Sequence, residues 1–219
     1  MSVATATNYL EVIDHLTPGE PAIFHDVSWE AYEQLSDELV DRSGVRVSYY
    51  EGTLEIMTTS TEHDFYEDLL QNLVRLLSLR LNFRFRSFGR PTMKKSRRQT
   101  GKEPDGCYFI KSCDLIGRRK RLDFEHDPPP DVAVEIDLST KSIPELPIYH
   151  ALRVAEVWIY DGTKLAIHRW SAQGYVSVER SEELPILTSQ LLTDFLTEAE
   201  ETEDENQLLQ DYVEIILQA

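Results

Sequence analysis

The strongest constraint on the fold is a short apolar run with one acid near its end. Residues 132–136 read Val-Ala-Val-Glu-Ile and follow a proline-rich turn. Such a run predicts a buried central strand, extending over 132–138. An ionised carboxylate inside a buried strand costs several kcal/mol of desolvation unless a partner compensates it. Glu135 therefore predicts a nearby cation, which is either a bound metal ion or an arginine side chain.

A second acid stands next to another predicted strand. Asp105 follows Pro104 and precedes the apolar residues 106–110. Two acids borne by neighbouring strands can share one divalent cation, because Mg²⁺ binds a few carboxylate oxygens and keeps several waters. The pair makes metal-assisted phosphodiester hydrolysis the leading hypothesis. The alternative is that Asp105 is only a turn residue after Pro104.

Composition sets the class of protein. The 219 residues are 41% hydrophobic and 28% charged, which is ordinary for a globular chain with one core. We expect a single domain over 1–219, with a core at 28–180 and C-terminal helices at 188–218. No apolar run approaches the ~20 residues of a membrane helix, so no membrane partner and no signal peptide are expected. Cys107 and Cys113 lack metal-ligand spacing and predict reduced thiols in a cytoplasmic protein.

Charge is distributed unevenly along the chain. The net charge is −17, yet residues 80–121 contain 14 Lys and Arg against three acids. This basic region brackets Asp105, so it predicts a face that contacts nucleic-acid phosphates. The alternative is a set of solvated hairpin faces.

The periodicity of apolar residues predicts an α+β order of elements. Helices are predicted at 28–39, from 61 through 77, at 143–154, at 189–196 and at 203–217. Strands are predicted at 45–49, 53–57, 82–88, 106–110, 132–138, 155–160, 165–170 and 174–178. Glu51-Gly52 and Asp161-Gly162 predict hairpin turns. Pro147 conflicts with a helix that begins at 143 and favours a later start.

The order of these motifs resembles the Uma-type restriction endonuclease family of the PD-(D/E)XK nuclease superfamily, which is abundant in cyanobacteria. The resemblance runs from 28 to 162. It rests on the Glu51-Gly52 hairpin, the helix opened by Glu62-His63, Glu103-Pro104-Asp105, and the segments 129–139 and 147–162.

The resemblance implies a restriction-endonuclease-like core, in which a mixed β-sheet is flanked by helices and accompanied by β-hairpins. It implies an endonuclease that uses Mg²⁺ (or Mn²⁺) on nucleic acid, with DNA as the expected substrate and a homodimer as the expected assembly. Asp105 and Glu135 correspond to the two acids of the superfamily motif. The backbone carbonyl of Ile136 would be a third ligand to the metal.

One position departs from the superfamily pattern. The lysine that should stand two residues after Glu135 is replaced by Asp137. Lys141 is the nearest substitute, and it is either a migrated catalytic lysine or an exposed loop residue. Asp137 is either a further metal ligand or a cap for the following turn.

The start of the long helix carries the remaining candidates. Glu62 or Glu67 can hold a metal-bound water, and His63 can assist proton transfer or contact phosphate. The alternative for such acids is a favourable interaction with the helix dipole.

The sequence has no motif that indicates another enzyme class. It lacks the phosphate-binding GxxxxGK[ST], the GxSxG of hydrolases and the HExxH of metalloproteases. The alternative to an enzyme is a catalytically inactive module with this fold that binds nucleic acid or assembles with other proteins. The missing lysine and the acidic net charge favour that alternative.

Overall fold

The computed structural model describes residues 8–17, 19–40, 42, 44–58, 60–138 and 143–218. The helices are α1 Tyr9–Ile13, α2 Trp29–Glu38, α3 Thr61–Leu81, α4 Cys113–Ile116, α5 Glu145–Leu152, α6 Ser189–Ala199 and α7 Glu205–Gln218. The strands are β1 Ala22–Phe24, β2 Val45–Tyr50, β3 Thr53–Thr58, β4 Arg86–Ser87, β5 Met93–Lys95, β6 Thr100–Lys102, β7 Gly106–Phe109, β8 Val132–Ile136, β9 Glu156–Tyr160, β10 Leu165–Ser171 and β11 Gly174–Val178. The expected α+β class is confirmed.

The smaller sheet has five strands in the order β1-β3-β2-β6-β5, and its neighbours are all antiparallel. The predicted β2–β3 hairpin is confirmed. Its turn places Glu51 at φ 47° and Gly52 at φ 80°, the two positive values that a two-residue hairpin loop with the right twist requires. Helix α2 covers this sheet and buries Tyr32. A Cβ on Gly101 would lie 1.9 Å from the Tyr32 hydroxyl oxygen, so β6 can approach α2 only with glycine there.

The larger sheet has six strands in the order β11-β10-β9-β8-β7-β4. Strands β8 and β9 are parallel and the other neighbours are antiparallel, which confirms the expected mixed sheet. Along β8, Val134 and Ile136 pack with α3, α6 and α7, whereas Ala133 packs on the side of α5. Because side chains alternate along a strand, Glu135 shares the face of Ala133 and points toward α5.

Helix α5 is the crossover between the parallel strands β8 and β9. It begins at Glu145 after Pro144 at the N-cap position, so Pro147 lies in its first turn. A proline is tolerated there because the first N–H groups of a helix have no intrahelical acceptor. The conflict raised by Pro147 is thus resolved by a later helix start.

Several boundaries differ from those predicted. The 82–88 segment forms a strand only at β4, β7 ends at Phe109, and β8 ends at Ile136. Part of the basic region folds as the β5–β6 hairpin, joined by a 3₁₀ turn at Ser96–Arg98. Among the described helices, none is both long and apolar enough to cross a membrane.

Candidate active site

Asp105 lies immediately before β7 and is held by the backbone of β8. Its N–H donates to the Val134 carbonyl at 3.0 Å, and its Oδ2 accepts the Ile136 N–H at 2.7 Å. Only 1% of Asp105 is exposed. Its second oxygen, Oδ1, forms an ion pair with Nη1 of Arg46 from β2. Asp105 therefore ties the smaller sheet to the larger one through a buried charge pair.

Glu135 is also buried, and its partners come from two other elements. The Tyr149 hydroxyl of α5 donates to Oε1, and Nζ of Lys102 from β6 lies 3.4 Å from Oε2. Lys102 Nζ also lies 2.9 Å from Oε1 of Glu145. Burial and the neighbouring Glu145 carboxylate raise the pKa of Glu135, and Lys102 opposes them. One lysine thus serves two acids, which leaves this cluster with more carboxylate than cation.

Lys102 is the cation that the sequence interpretation missed. It lies within the basic region 80–121, but it is only 5% exposed on β6. Burial works against its charge, but the Glu135 and Glu145 carboxylates outweigh burial and raise its pKa. Residues 100–102, Thr-Gly-Lys, carry no local signal of this burial, because glycine disfavours a strand and β6 is placed by its pairing with β2 and β5. Lys141, the predicted substitute, lies outside the described residues.

Arg46 was also missed. It is 5% exposed, and burial together with the neighbouring Arg90 lowers its pKa to about 10, which leaves it cationic at neutral pH. Its Nε and Nη2 are buried without a hydrogen-bond partner within the described part of the chain, and Asp105 Oδ1 has only the ion pair. Buried polar atoms without partners are rare in native proteins and call for an explanation such as a ligand.

Helix α3 contributes His63 and Glu67 to the same region. His63 is 3% exposed, and its Nδ1 lies 2.8 Å from the Ser60 hydroxyl. Burial, followed by the charges of Arg46 and Arg90, lowers the pKa of His63 and keeps the imidazole neutral. Burial raises the pKa of Glu67 to about 7, against the opposing effect of Arg90.

Glu67 lies directly against the strand that follows Asp105. A Cβ on Gly106 would lie 2.4 Å from Glu67 Oε1, so glycine at 106 makes the room that this carboxylate occupies. Glu62, the other helix acid considered, is exposed. Its charge acts on Tyr66, whose pKa is raised to about 12 by burial, by Glu200 and to a smaller extent by Glu62. The acid that α3 directs toward Asp105 is therefore Glu67.

The remaining predicted ligands lie at the end of β8. Ile136 forms the end of the strand, and Asp137 is half-buried with its N–H donating to the Tyr160 carbonyl at 2.7 Å. Within the described residues, no three His, Cys, Asp or Glu side chains form a cluster that could hold a metal by themselves. A Mg²⁺ site does not require three such side chains, because Mg²⁺ is usually bound through one or two carboxylates and retains several water ligands.

The basic region divides between the site and the surface. Arg90 pairs with Asp64 of α3, and its Nε lies 3.3 Å from the Asp105 carbonyl oxygen, so it belongs to the site with Lys102. Arg84 pairs with Asp114, and Lys94 pairs with Asp37. Arg97 and Arg98 are exposed on the 3₁₀ turn.

The chain is similar to known proteins both in structure and in sequence. A crystal structure of a putative nuclease belonging to DUF820, from Anabaena variabilis ATCC 29413, is 17% identical, with a TM-score of 0.46 over 68% of this chain and 89% of that chain. No curated protein matches. The model of the family Uma2, described as "Putative restriction endonuclease", matches residues 29–199. That match covers more than three quarters of the sequence, and the chain belongs to the Uma2 family.

Proposed function

We propose that the protein is a metal-dependent endonuclease that hydrolyses phosphodiester bonds of DNA at the site of Asp105 and Glu135. The observation that carries the proposal is the set of buried atoms without hydrogen-bond partners at this site. Among the described residues, Nε and Nη2 of the buried Arg46 have no partner, and Oδ1 of the buried Asp105 has only its ion pair with Nη1 of the same arginine. A phosphate group and a divalent cation have the chemistry to satisfy both.

The donor set fits a hard divalent cation. Asp105 and Glu135 supply carboxylate oxygens, the Ile136 carbonyl is a third candidate ligand, and Asp137 is a further one. Oxygen ligands without histidine or thiolate favour Mg²⁺ or Mn²⁺ over zinc or copper. When bound, such an ion would neutralise charge on the phosphate and lower the pKa of the attacking water.

The two buried cations take different roles in this proposal. Arg46 binds the phosphate of the substrate, because its Nε and Nη2 form the fork that matches two phosphate oxygens. Lys102 replaces the missing lysine of the superfamily motif. Its Nζ, 3.4 Å from Glu135 Oε2, stabilises the ionised carboxylate and the charge that develops during hydrolysis.

Helix α3 supplies the proton acceptor. Glu67 has a pKa of about 7, close to the pH at which a general base is most effective. In the proposed mechanism its carboxylate accepts a proton from water, and the neutral His63 contacts the substrate beside it. Glu62 is exposed and takes no part in the mechanism that we propose.

A catalytically inactive module remains the second candidate, and one observation favours it. Each acid already has a cation from the protein, since Arg46 pairs with Asp105 and Lys102 pairs with Glu135. In that case the two side chains occupy the place of the metal, and the fold binds nucleic acid without cutting it.

The deciding experiment compares two carboxylate-to-amide changes. Wild-type protein, Asp105→Asn and Glu156→Gln are incubated with supercoiled plasmid, single-stranded DNA or RNA and with Mg²⁺, Mn²⁺ or EDTA. Glu156 is a matched control because it is equally buried but lies at the opposite end of the sheet. We expect metal-dependent cleavage that Asp105→Asn lowers by about 10³-fold, corresponding to the loss of several kcal/mol of metal-derived stabilisation. A wild type inert on every substrate, with no Mn²⁺ binding by calorimetry, would establish the inactive module instead.

A further inference from the structure

Two adjoining cavities lie beside α5, on the surface next to the candidate active site. Their volumes are about 660 and 520 Å³, and they share Arg98, Ala151 and Arg153 in their walls. We call the pair the α5 groove. The helix connects this groove to the site, because Tyr149 contacts Glu135 while the next residue, His150, lines the groove.

One wall of the groove is aromatic. Trp170 is 38% exposed, and its ring is parallel to that of His150, with centroids 5.4 Å apart and planes 10° apart. His150 is fixed by a 3.0 Å contact between its Nε2 and the Ser171 carbonyl oxygen. The other two tryptophans, Trp29 and Trp158, are buried. A rigid, partly exposed indole beside a cavity is a surface on which another flat ring can stack.

The other wall is basic. It is formed by four cationic residues against one acid, namely Lys95, Arg97, Arg98 and Arg153 against Glu125. Arg97, Arg98 and Arg153 are exposed, and no ion pair holds them within the described ranges. The Glu125 carboxylate accepts a hydrogen bond from the Ser96 N–H. This bond partly offsets the negative charge that Glu125 presents to the groove. The wall therefore keeps an excess of positive charge available to an anion.

Arg153 is held in this wall by an unusual backbone conformation. It ends α5 with φ 63° and ψ 37°, the left-handed conformation in which helices favour glycine. Arginine in place of glycine costs conformational energy, because its Cβ is crowded there. A cationic side chain at the C-terminus of α5 interacts favourably with the helix dipole, and Arg153 also lines both cavities of the groove.

We infer that the α5 groove binds a single strand of nucleic acid, with a base stacked on Trp170 and its phosphates held by Arg97, Arg98 and Arg153. A flat aromatic surface and a cationic surface that face one cavity are the features that single strands use. A duplex fits less well, because its bases are already stacked on one another. The inference rests on the proposed function in one respect, which is that the bound strand is a segment of the substrate.

The test measures binding separately from cleavage. A fluorescein-labelled thymidine oligomer of about 12 nucleotides, within the usual range of single-strand site sizes, is titrated with protein in EDTA and followed by anisotropy. Trp170→Leu should weaken binding by about 5- to 100-fold, the effect of losing one stacked base. Trp170→Phe should restore most of the affinity. In wild type, binding should quench tryptophan fluorescence, and Trp170→Leu should abolish the quenching.

Arg153→Gly provides the matching test of the basic wall. Glycine suits the left-handed conformation, so the variant removes the charge without straining the helix end. We expect weaker binding and a log–log salt dependence shallower by about 0.7, the value for one single-strand phosphate contact. The control is Lys164→Gln. Lys164 is an exposed cation immediately before β10, about 20 Å from Trp170 by strand length, and its replacement should leave binding unchanged.

The outcomes separate this inference from the proposed function. If wild type cleaves with Mn²⁺ while Trp170→Leu and Arg153→Gly bind the oligomer as wild type does, the groove inference is wrong and the nuclease stands. If wild type is inert yet both variants lose single-strand binding, the groove stands and the nuclease is wrong. Equal losses for single-stranded and duplex oligomers in Trp170→Leu would overturn stacking as the mode of recognition.

Discussion

Acidic side chains are buried at both ends of the parallel pair β8–β9, but their hydrogen-bond and ion-pair partners differ. Asp131 and Glu156 lie at the amino-terminal end, where Val132 pairs with Glu156. Glu135 lies near the carboxyl-terminal end, beside Asp105. All four are at most 9% exposed, so burial alone does not distinguish them.

At the amino-terminal end the donors are neutral and fixed. Asp131 Oδ2 accepts the Ser112 N–H at 3.0 Å and the Ser112 hydroxyl at 2.9 Å. Glu156 accepts the Trp158 indole N–H at 3.1 Å, the Ser181 hydroxyl at 2.7 Å and two backbone N–H groups. These bonds hold the loops in place and use Oδ2 of Asp131 and both oxygens of Glu156.

At the carboxyl-terminal end, Asp105 Oδ2 also accepts the Ile136 backbone N–H, but the other partners are charged or titratable. Asp105 faces Arg46, and Glu135 faces Lys102, Tyr149 and Glu145. Such partners can exchange their contacts for a metal ion or a phosphate group, whereas a backbone N–H cannot move away. The difference supports the proposal that the carboxyl-terminal acids take part in the reaction, whereas the amino-terminal acids hold the fold together.

The largest expected effect is on the cleavage rate, and it distinguishes a lysine at the carboxyl-terminal end of β8–β9 from a lysine at the amino-terminal end. Lys102→Gln should lower the metal-dependent cleavage rate by about 10²–10³-fold, the usual effect of removing a preorganised charge. Lys111→Gln should change the rate less than about 2-fold, because Lys111 pairs with Glu183 near the amino-terminal end and is exposed. Circular dichroism and Mn²⁺ affinity establish that both variants fold and bind metal. If Lys141→Ala abolishes cleavage and Lys102→Gln does not, the catalytic lysine is Lys141.

The next largest effect is on stability. Here the substitution at the amino-terminal end of β8–β9 is expected to have the larger effect. Glu156→Gln places an NH₂ group against donors and should cost about 2–4 kcal/mol of unfolding free energy. Glu135→Gln should cost less than about 1 kcal/mol, because Lys102 keeps Glu145 as a partner and one buried charge is removed. Urea denaturation measures both. A larger loss in Glu135→Gln would show that the carboxyl-terminal acids are structural too.

Local patterns predicted the longer elements of this fold but not the short elements α1, β1, β5, β6 and α4. The β2–β3 and β9–β10 hairpins, α2, and the central strand β8 follow from alternation, turn residues and helical spacing within short windows. The burial of Glu135 followed from the same local argument. The short strand β4 was overpredicted, because apolar residues at 83, 85 and 88 suggest a longer strand than tertiary pairing supports.

The partners of the site acids could not be predicted in this way. Arg46 and Lys102 come from the smaller sheet, 59 and 33 residues from Asp105 and Glu135 respectively. Their burial depends on how the two sheets pack, and a short window of sequence carries no information about that packing. The choice between Glu62 and Glu67 depended on which face of α3 turns toward Gly106, which is also a tertiary property.

The smallest expected effect tests whether the site titrates near neutral pH. The pKa of Glu67 is about 7 in the folded protein against an ordinary value of 4.5, so between these values the folded state holds a proton that the unfolded state has lost. Stability must then fall as pH rises through this window. From about pH 5 to 8 the unfolding free energy should fall by about 1–3 kcal/mol more in wild type than in Glu67→Gln. Glu62→Gln, which changes an exposed acid of the same helix, should retain the wild-type dependence of stability on pH.

The cleavage rate should rise over the same pH window, because the ionised Glu67 is the proposed proton acceptor. Parallel slopes for wild type and Glu67→Gln would contradict the raised pKa of Glu67 and its role as the proton acceptor.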